Sequence, residues 1–186
     1  MHMSLSFAAA LALSPLTLGA GTLVGHWPFD EAAGAVAADA GPSGYDGALA
    51  GAAAFVPGGI SGNAVQFASA TNDLVNMGAI SFNSSPFSLS AWIKTTATAH
   101  YIVAGRHRGT VVQGYFIALN SGGAYGQPGK AYAYVSTSPG NEPISTTTVA
   151  DGQWHHVLMT FQPGGLAAIF VDGVLEATRN PSYNPT

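Results

Sequence analysis

No cysteine occurs anywhere in the 186 residues. That absence excludes a disulfide frame, a thiolate metal site and a cysteine nucleophile together. Charge is also scarce: only 8% of residues are charged, nine acidic against five basic, for a net charge of −4. The basic residues form no cluster, so phosphate-backbone binding has no electrostatic support and nucleic acid is set aside as a partner. The apolar run Leu5–Leu13 is too short to span a bilayer as a helix, so no transmembrane segment is expected. No fixed-period repeat appears, and outside that alanine/leucine run no helix of useful length is written.

What the chain has instead is 47% hydrophobic residues punctuated by 24 glycines and 11 prolines, the profile of many short strands separated by turns. The length suits one domain that buries a two-layer core. In residues 4–20 the apolar stretch has the length of the hydrophobic region of a secretory signal, although no Lys or Arg precedes it. The other readings of residues 1–21 are a linker or an extra edge strand.

The stretch Asp151–Glu176 carries the strongest strand signals. Trp154–Gln162 is rich in β-branched and aromatic residues, a turn falls at Pro163–Gly165, Leu166–Val171 is almost continuously apolar, and Asp172–Gly173 marks a tight hairpin into Val174–Glu176. Upstream, Phe87–Thr95 alternates cleanly, with Phe87, Leu89, Ala91 and Ile93 on one face and Ser88, Ser90, Trp92 and Lys94 on the other. Asn63–Ala68, Asp73–Met77, Tyr101–Gly105, Tyr115–Leu119 and Ala131–Ser136 read as further strands. Thr22–Phe29 reads as the first, with Pro28 confining it to a sheet edge because proline has no amide hydrogen to donate. Asp39–Leu49 reads as a tight, aspartate- and glycine-containing loop.

Three of these segments, LVGHWPFDE from Leu23, FSLSAWIK from Phe87, and DGQWHHV from Asp151 followed by VDGVL from Val171, resemble in order and spacing the laminin-G-like branch of the concanavalin A-like lectin/glucanase superfamily. The resemblance covers about Leu23 to Glu176. It implies an all-β, two-sheet antiparallel jelly-roll β-sandwich over residues 22–186 and a binding role without catalysis. Family members usually continue past the V-D-G hairpin with closing strands. Here Asn180–Thr186 follows instead, so an open, apolar sheet edge that invites self-association is expected.

The chemistry-bearing residues are few. The only glutamates are Glu31, Glu142 and Glu176, and Asp30–Glu31 are adjacent, so no pair converges as a glycoside hydrolase requires. No G-x-S-x-G elbow occurs. His155 and His156 are neighbours in a strand, point to opposite faces and cannot share a metal; one is expected to be buried and hydrogen-bonded, the other solvent-facing. Gln153–Trp154–His155 matches the glutamine–x–histidine spacing of alginate-lyase relatives, with Tyr101, Tyr115 and Arg106 as available partners, so a polysaccharide lyase is the enzymatic alternative.

Calcium suits oxygen-rich glycine loops, and the resemblance implies it; Asp39, Asp46, Asn72 and Asp73 are the candidate ligands. Sugar recognition needs an exposed aromatic platform beside amide hydrogen-bonders. Trp92, Tyr125, Tyr132 and Tyr134 are the candidate platforms and Gln127 and Asn141 the flanking amides, whereas Trp27 and Trp154 are assigned to the core. Taken together, these readings predict a carbohydrate-binding or adhesion module of a secreted or cell-envelope protein, with a glycan or other cell-surface ligand. The alternatives are a lyase or hydrolase on the same fold and a protein-interaction domain.

Overall fold

The computed structural model describes residues 21–68, 72–82, 85–99, 101–108, 113–119, 127–135 and 142–180. The expectations for residues 1–20, for Tyr125 and for Asn141 lie outside these. Among the described residues the chain is all-β and forms four antiparallel sheets.

The strands in chain order are β1 (Val36–Ala37), β2 (Gly47–Ala50), β3 (Ala54–Pro57), β4 (Asn63–Gln66), β5 (Leu74–Asn76), β6 (Phe87–Lys94), β7 (Tyr101–Arg108), β8 (Gln113–Leu119), β9 (Lys130–Val135), β10 (Ile144–Thr148), β11 (Trp154–Phe161), β12 (Ala167–Val171) and β13 (Val174–Arg179). Two four-stranded sheets, ordered β13-β12-β11-β6 and β10-β9-β8-β7, form the sandwich; a three-stranded β1-β2-β5 sheet and a β3-β4 hairpin precede it.

The sandwich forms because alternate residues of each strand are apolar. Val157, Met159 and Phe161 of β11, Ala167, Ile169 and Val171 of β12, and Phe87 of β6 meet Ile117 and Leu119 of β8 and Ala131, Ala133 and Val135 of β9 in one buried cluster. Period-2 alternation puts each of these sets on a single side of its sheet. One end of this core is an aromatic knot. Phe82 stacks on Phe87 at 4.4 Å, and Tyr115 tilts against both at 5.0 and 4.9 Å. The Tyr115 hydroxyl donates to the Ile80 carbonyl at 2.9 Å, and burial pushes its pKa up to about 12.

The second sandwich sheet is apolar on its other side as well. Phe116 stacks on Tyr134 at 4.6 Å and meets Tyr132 edge-on at 6.1 Å, with Ile144 against them. Gly105, opposite Phe116, has φ +144°, and a Cβ there would lie 2.3 Å from the Tyr115 carbonyl oxygen, so no other residue fits.

The two sheets are joined at one side by Glu176 of β13. One carboxylate oxygen accepts the amides of Thr146 and Thr147 of β10 at 2.7 and 2.9 Å, and the other accepts the Thr147 hydroxyl at 2.5 Å. Burial alone would raise the Glu176 pKa, but the combined hydrogen bonds from Thr147 and Thr146 outweigh it, and the group stays ionised below the usual range.

The expected first strand, Thr22–Phe29, is not a strand. Pro28 has no amide to donate, and Phe29 turns the chain with φ +61°. Single contacts hold the segment instead: Ala40 donates to the His26 carbonyl at 2.8 Å, His26 donates to Asp39 at 2.8 Å, and the Trp27 indole donates to the Tyr45 carbonyl at 2.8 Å. β1, β2, β3 and β10 were not anticipated; the first three are two to four residues long and rich in alanine and glycine, too short for a period to register.

Replacing Glu176 by alanine removes the tie between β13 and β10. Thermal and urea melts are expected to show a loss of roughly 1–2 kcal/mol, after allowing for the group's partial exposure. An unchanged midpoint would mean that the tie carries no stability.

Candidate functional site

The register of β11 builds two different sites on its two faces. β11 pairs with β6 through eight residues, Trp154 opposite Lys94 down to Phe161 opposite Phe87, and with β12 from Val157 opposite Val171 to Phe161 opposite Ala167. Consecutive residues diverge, so His155 falls on the core side with Val157, and His156 falls on the outer side with Trp154, Leu158 and Thr160.

His155 is fully engaged. Its Nδ1 lies 2.8 Å from Asp172 Oδ2 and its Nε2 lies 3.2 Å from Asp151 Oδ1, and its side chain is only 12% exposed. Asp172 sits in the tight β12–β13 turn at φ +50°. Its other oxygen accepts the His156 amide at 2.8 Å, and its own amide donates to the His156 carbonyl at 2.9 Å. Asp151 also accepts the Gln153 amide at 2.8 Å, and Gly152 donates to the Thr95 carbonyl at 2.8 Å. The D-G-Q-W-H-H and V-D-G segments, remote in sequence, thus form one clamp at the end of the sandwich.

The electrostatics follow. Burial by itself would depress the His155 pKa, but the hydrogen bonds and charges of Asp172 and Asp151 together outweigh it and hold the ring above its ordinary 6.5. The hydrogen bond from His155 holds Asp172 below the usual carboxylate range, and the Gln153 amide, then His155, does the same for Asp151.

On the outer face, Trp92 is 48% exposed and its ring lies 5.1 Å from that of His156, its cross-strand partner, at an interplanar angle of 45°. Ser88, Ser90 and Lys94 on β6 are exposed on the same side, and Trp154, Leu158 and Thr160 on β11 are half-buried there. Phe170 and the exposed Leu175 extend the face across β12 and β13. A cleft of about 2850 Å³ is lined by Trp92, His156 and Phe170 of this face, by Leu23 and Trp27 of residues 21–30, and by core-side residues of β6 such as Leu89 and Ile93.

The candidate residues named from sequence are therefore dispersed. Trp92 is exposed as expected. Tyr132 and Tyr134 are 4% and 2% exposed, and burial pushes both pKa values up to about 12. They fill the Phe116 cluster and offer a ligand no surface, because both faces of β9 are buried. Gln127 is exposed, but it leads into β9 in the opposite sheet from Trp92. Trp154 and Trp27 are half-buried and lie outside the core clusters, a second correction. The alternation in β6 had already put Lys94 on the face of Trp92; sequence reasoning missed His156, which only the register makes the partner of Trp92.

The four candidate metal ligands do not form one centre. Asp46 precedes β2 and Asp73 precedes β5, and the antiparallel register (Ala48 opposite Asn76, Ala50 opposite Leu74) puts them at opposite ends of the pair, roughly 16 Å apart. Asp39 accepts the amides of His26, Gly41 and Tyr45, and these contacts, that from His26 first, hold its pKa low. Asp46 accepts the Asp39 amide at 2.9 Å, Asp73 accepts those of Ala52 and Ala68, and Asn72 is an exposed turn residue at φ +49°. Among the described residues no three His, Cys, Asp or Glu side chains are grouped to hold a metal ion.

The fold and this surface define the class: an all-β sandwich domain with one open, aromatic sheet face. The chain belongs to the laminin-G family of the concanavalin A-like lectin/glucanases superfamily, whose profile matches residues 69–186, more than half of its length. No curated protein and no solved structure gives a match. No helix among the described residues is long and apolar enough to cross a membrane.

The clamp makes stability depend on pH. His155, with its pKa raised, contributes fully below its ordinary 6.5 and loses that contribution as pH rises through the raised value; Asp151 and Asp172, with theirs lowered, contribute above 3.8 and lose it as pH falls. The melting midpoint is expected to peak between about pH 4 and 6.5 and to decline above neutrality. His155→Gln should remove the alkaline decline, and a variant that kept the wild-type profile would refute the clamp.

Proposed function

We propose that the domain is a non-catalytic carbohydrate-binding module that recognises glycans on the outer face of the β6–β11 pair. The observation that carries this reading is the exposed Trp92 ring, braced across the pair by His156, with the exposed Ser90 and Lys94 next to it on the same side of β6. A sugar ring has an apolar face that stacks on an indole and a polar rim that needs such donors and acceptors. A stiff antiparallel pair holds the indole in place, so little conformational freedom is lost on binding.

The alternative of an enzyme has less support. A general base needs a free lone pair within reach of substrate, and both nitrogens of His155 face carboxylates. Tyr115 and Arg106, its partners in a lyase reading, both direct polar groups to the Ile80 carbonyl. Attachment to a secreted or envelope protein rests on the signal-like length of the apolar stretch in residues 4–20. A protein ligand is the second reading, favoured by Leu175 and Val174 at 52% and 62% exposure on the edge strand β13. Calcium is not required by either, because the amide contacts of Asp39, Asp46 and Asp73 already shape their loops; an ion would have to use the remaining lone pairs.

Glycan-array screening followed by calorimetry should find an oligosaccharide bound by the wild type and weakened about tenfold or more by Trp92→Ala, with Trp92→Phe intermediate. No reducing sugar or unsaturated product should appear, and turnover abolished in His155→Ala would overturn the binding reading. Melting midpoints in millimolar calcium and in chelator should coincide; a calcium-dependent rise would show an ion bound to the folded state.

A further inference from the structure

From the same outer face, and resting on the carbohydrate-binding reading, we infer that the glycan is acidic and that it spans two adjoining subsites, one on Trp92 and one on Trp154. The register places four side chains in a block: Trp92 opposite His156, and Lys94 opposite Trp154. All four line the same cleft. The two indoles stand on a diagonal, about 7–8 Å apart at their Cβ atoms. The two nitrogen-bearing side chains occupy the other diagonal. Two ring platforms at that offset cover two successive units of a linear chain, while Lys94 lies beside both, next to Trp92 along β6 and across from Trp154.

The charge balance of the face gives the sign of the ligand. Lys94 is exposed and makes no ion pair among the described residues. The carboxylates of its own sheet are turned elsewhere: Asp151 and Asp172 to His155, and Glu176 to Thr146 and Thr147. The carboxylates that share the cleft, Asp30 and Asp73, accept backbone amides of Asn63, Ala52 and Ala68. An ammonium with no ion-pair partner beside stacking surfaces, in a chain with only five basic residues, matches a sugar carrying a carboxylate or sulfate.

Calorimetry with three hexasaccharide probes, neutral cello-oligosaccharide, uronate-bearing and sulfated, tests the assignment. The wild type should prefer an acidic probe over the neutral one by about three- to tenfold at low salt, with the preference shrinking as salt is raised. Comparison of the uronate and sulfate arms identifies the anion. Lys94→Gln should bring the acidic-to-neutral ratio towards one, and Lys94→Arg should restore it. Trp154→Ala should weaken the hexasaccharide about three- to tenfold while changing the disaccharide less, because only the longer chain reaches the second ring. Circular dichroism and melting of each variant establish that it is folded. Equal affinity for acidic and neutral chains, unchanged in Lys94→Gln, would overturn this inference and leave the carbohydrate-binding reading intact. Failure of every glycan to bind would overturn both.

Discussion

The antiparallel register of β11 against β6 is the constraint from which the rest follows. A strand's side-chain period is two, so a slip of one residue would carry Val157, Met159 and Phe161 out of the core and drive His156 and Leu158 into it. Burying the three apolar side chains on folding is worth several kcal/mol, and that difference between registers pins the pairing. The same pairing, with no further instruction, sets Trp92 against His156 outside and brings His155 inside, next to the β12–β13 turn.

From that one alignment come two sites with opposite characters. On the core side the His155 ring is enclosed by two carboxylates, and every polar atom that could act as a base is already paired. On the outer side Trp92, Ser90 and Lys94 are exposed, and Trp154 and His156 are half-buried beside them. The histidine pair, the most conspicuous titratable feature of the chain, is thus divided between a structural clamp and a surface. His155, with Asp151 and Asp172, ties the end of β11 to the β12–β13 turn.

The alternation in Phe87–Lys94 and the V-D-G hairpin were plain in the sequence because eight-residue strands and an Asp-Gly turn leave strong periodic and turn signals. Three things were not legible. Tyr132 and Tyr134 were read as candidate platforms because they are aromatic and near amide side chains in sequence, but both faces of β9 are buried, so nothing local separates inside from outside there. Trp154 was assigned to the core, whereas the register puts it on the outer side, opposite the exposed Lys94. The separation of Asp46 from Asp73 was the third, because only the β2–β5 ladder reveals that they lie at opposite ends of it. In each case the missing quantity was a partner strand, which local pattern does not carry.

The most direct test of the register exploits the absence of native cysteine. In S90C/L158C the two thiols are directly opposite and within disulfide reach. In S90C/M159C a one-residue slip would be needed to bring them together. Mild oxidation is expected to cross-link the first pair quantitatively and to leave the second free. Cross-linking of the second pair instead would contradict the alignment and, with it, both faces of β11.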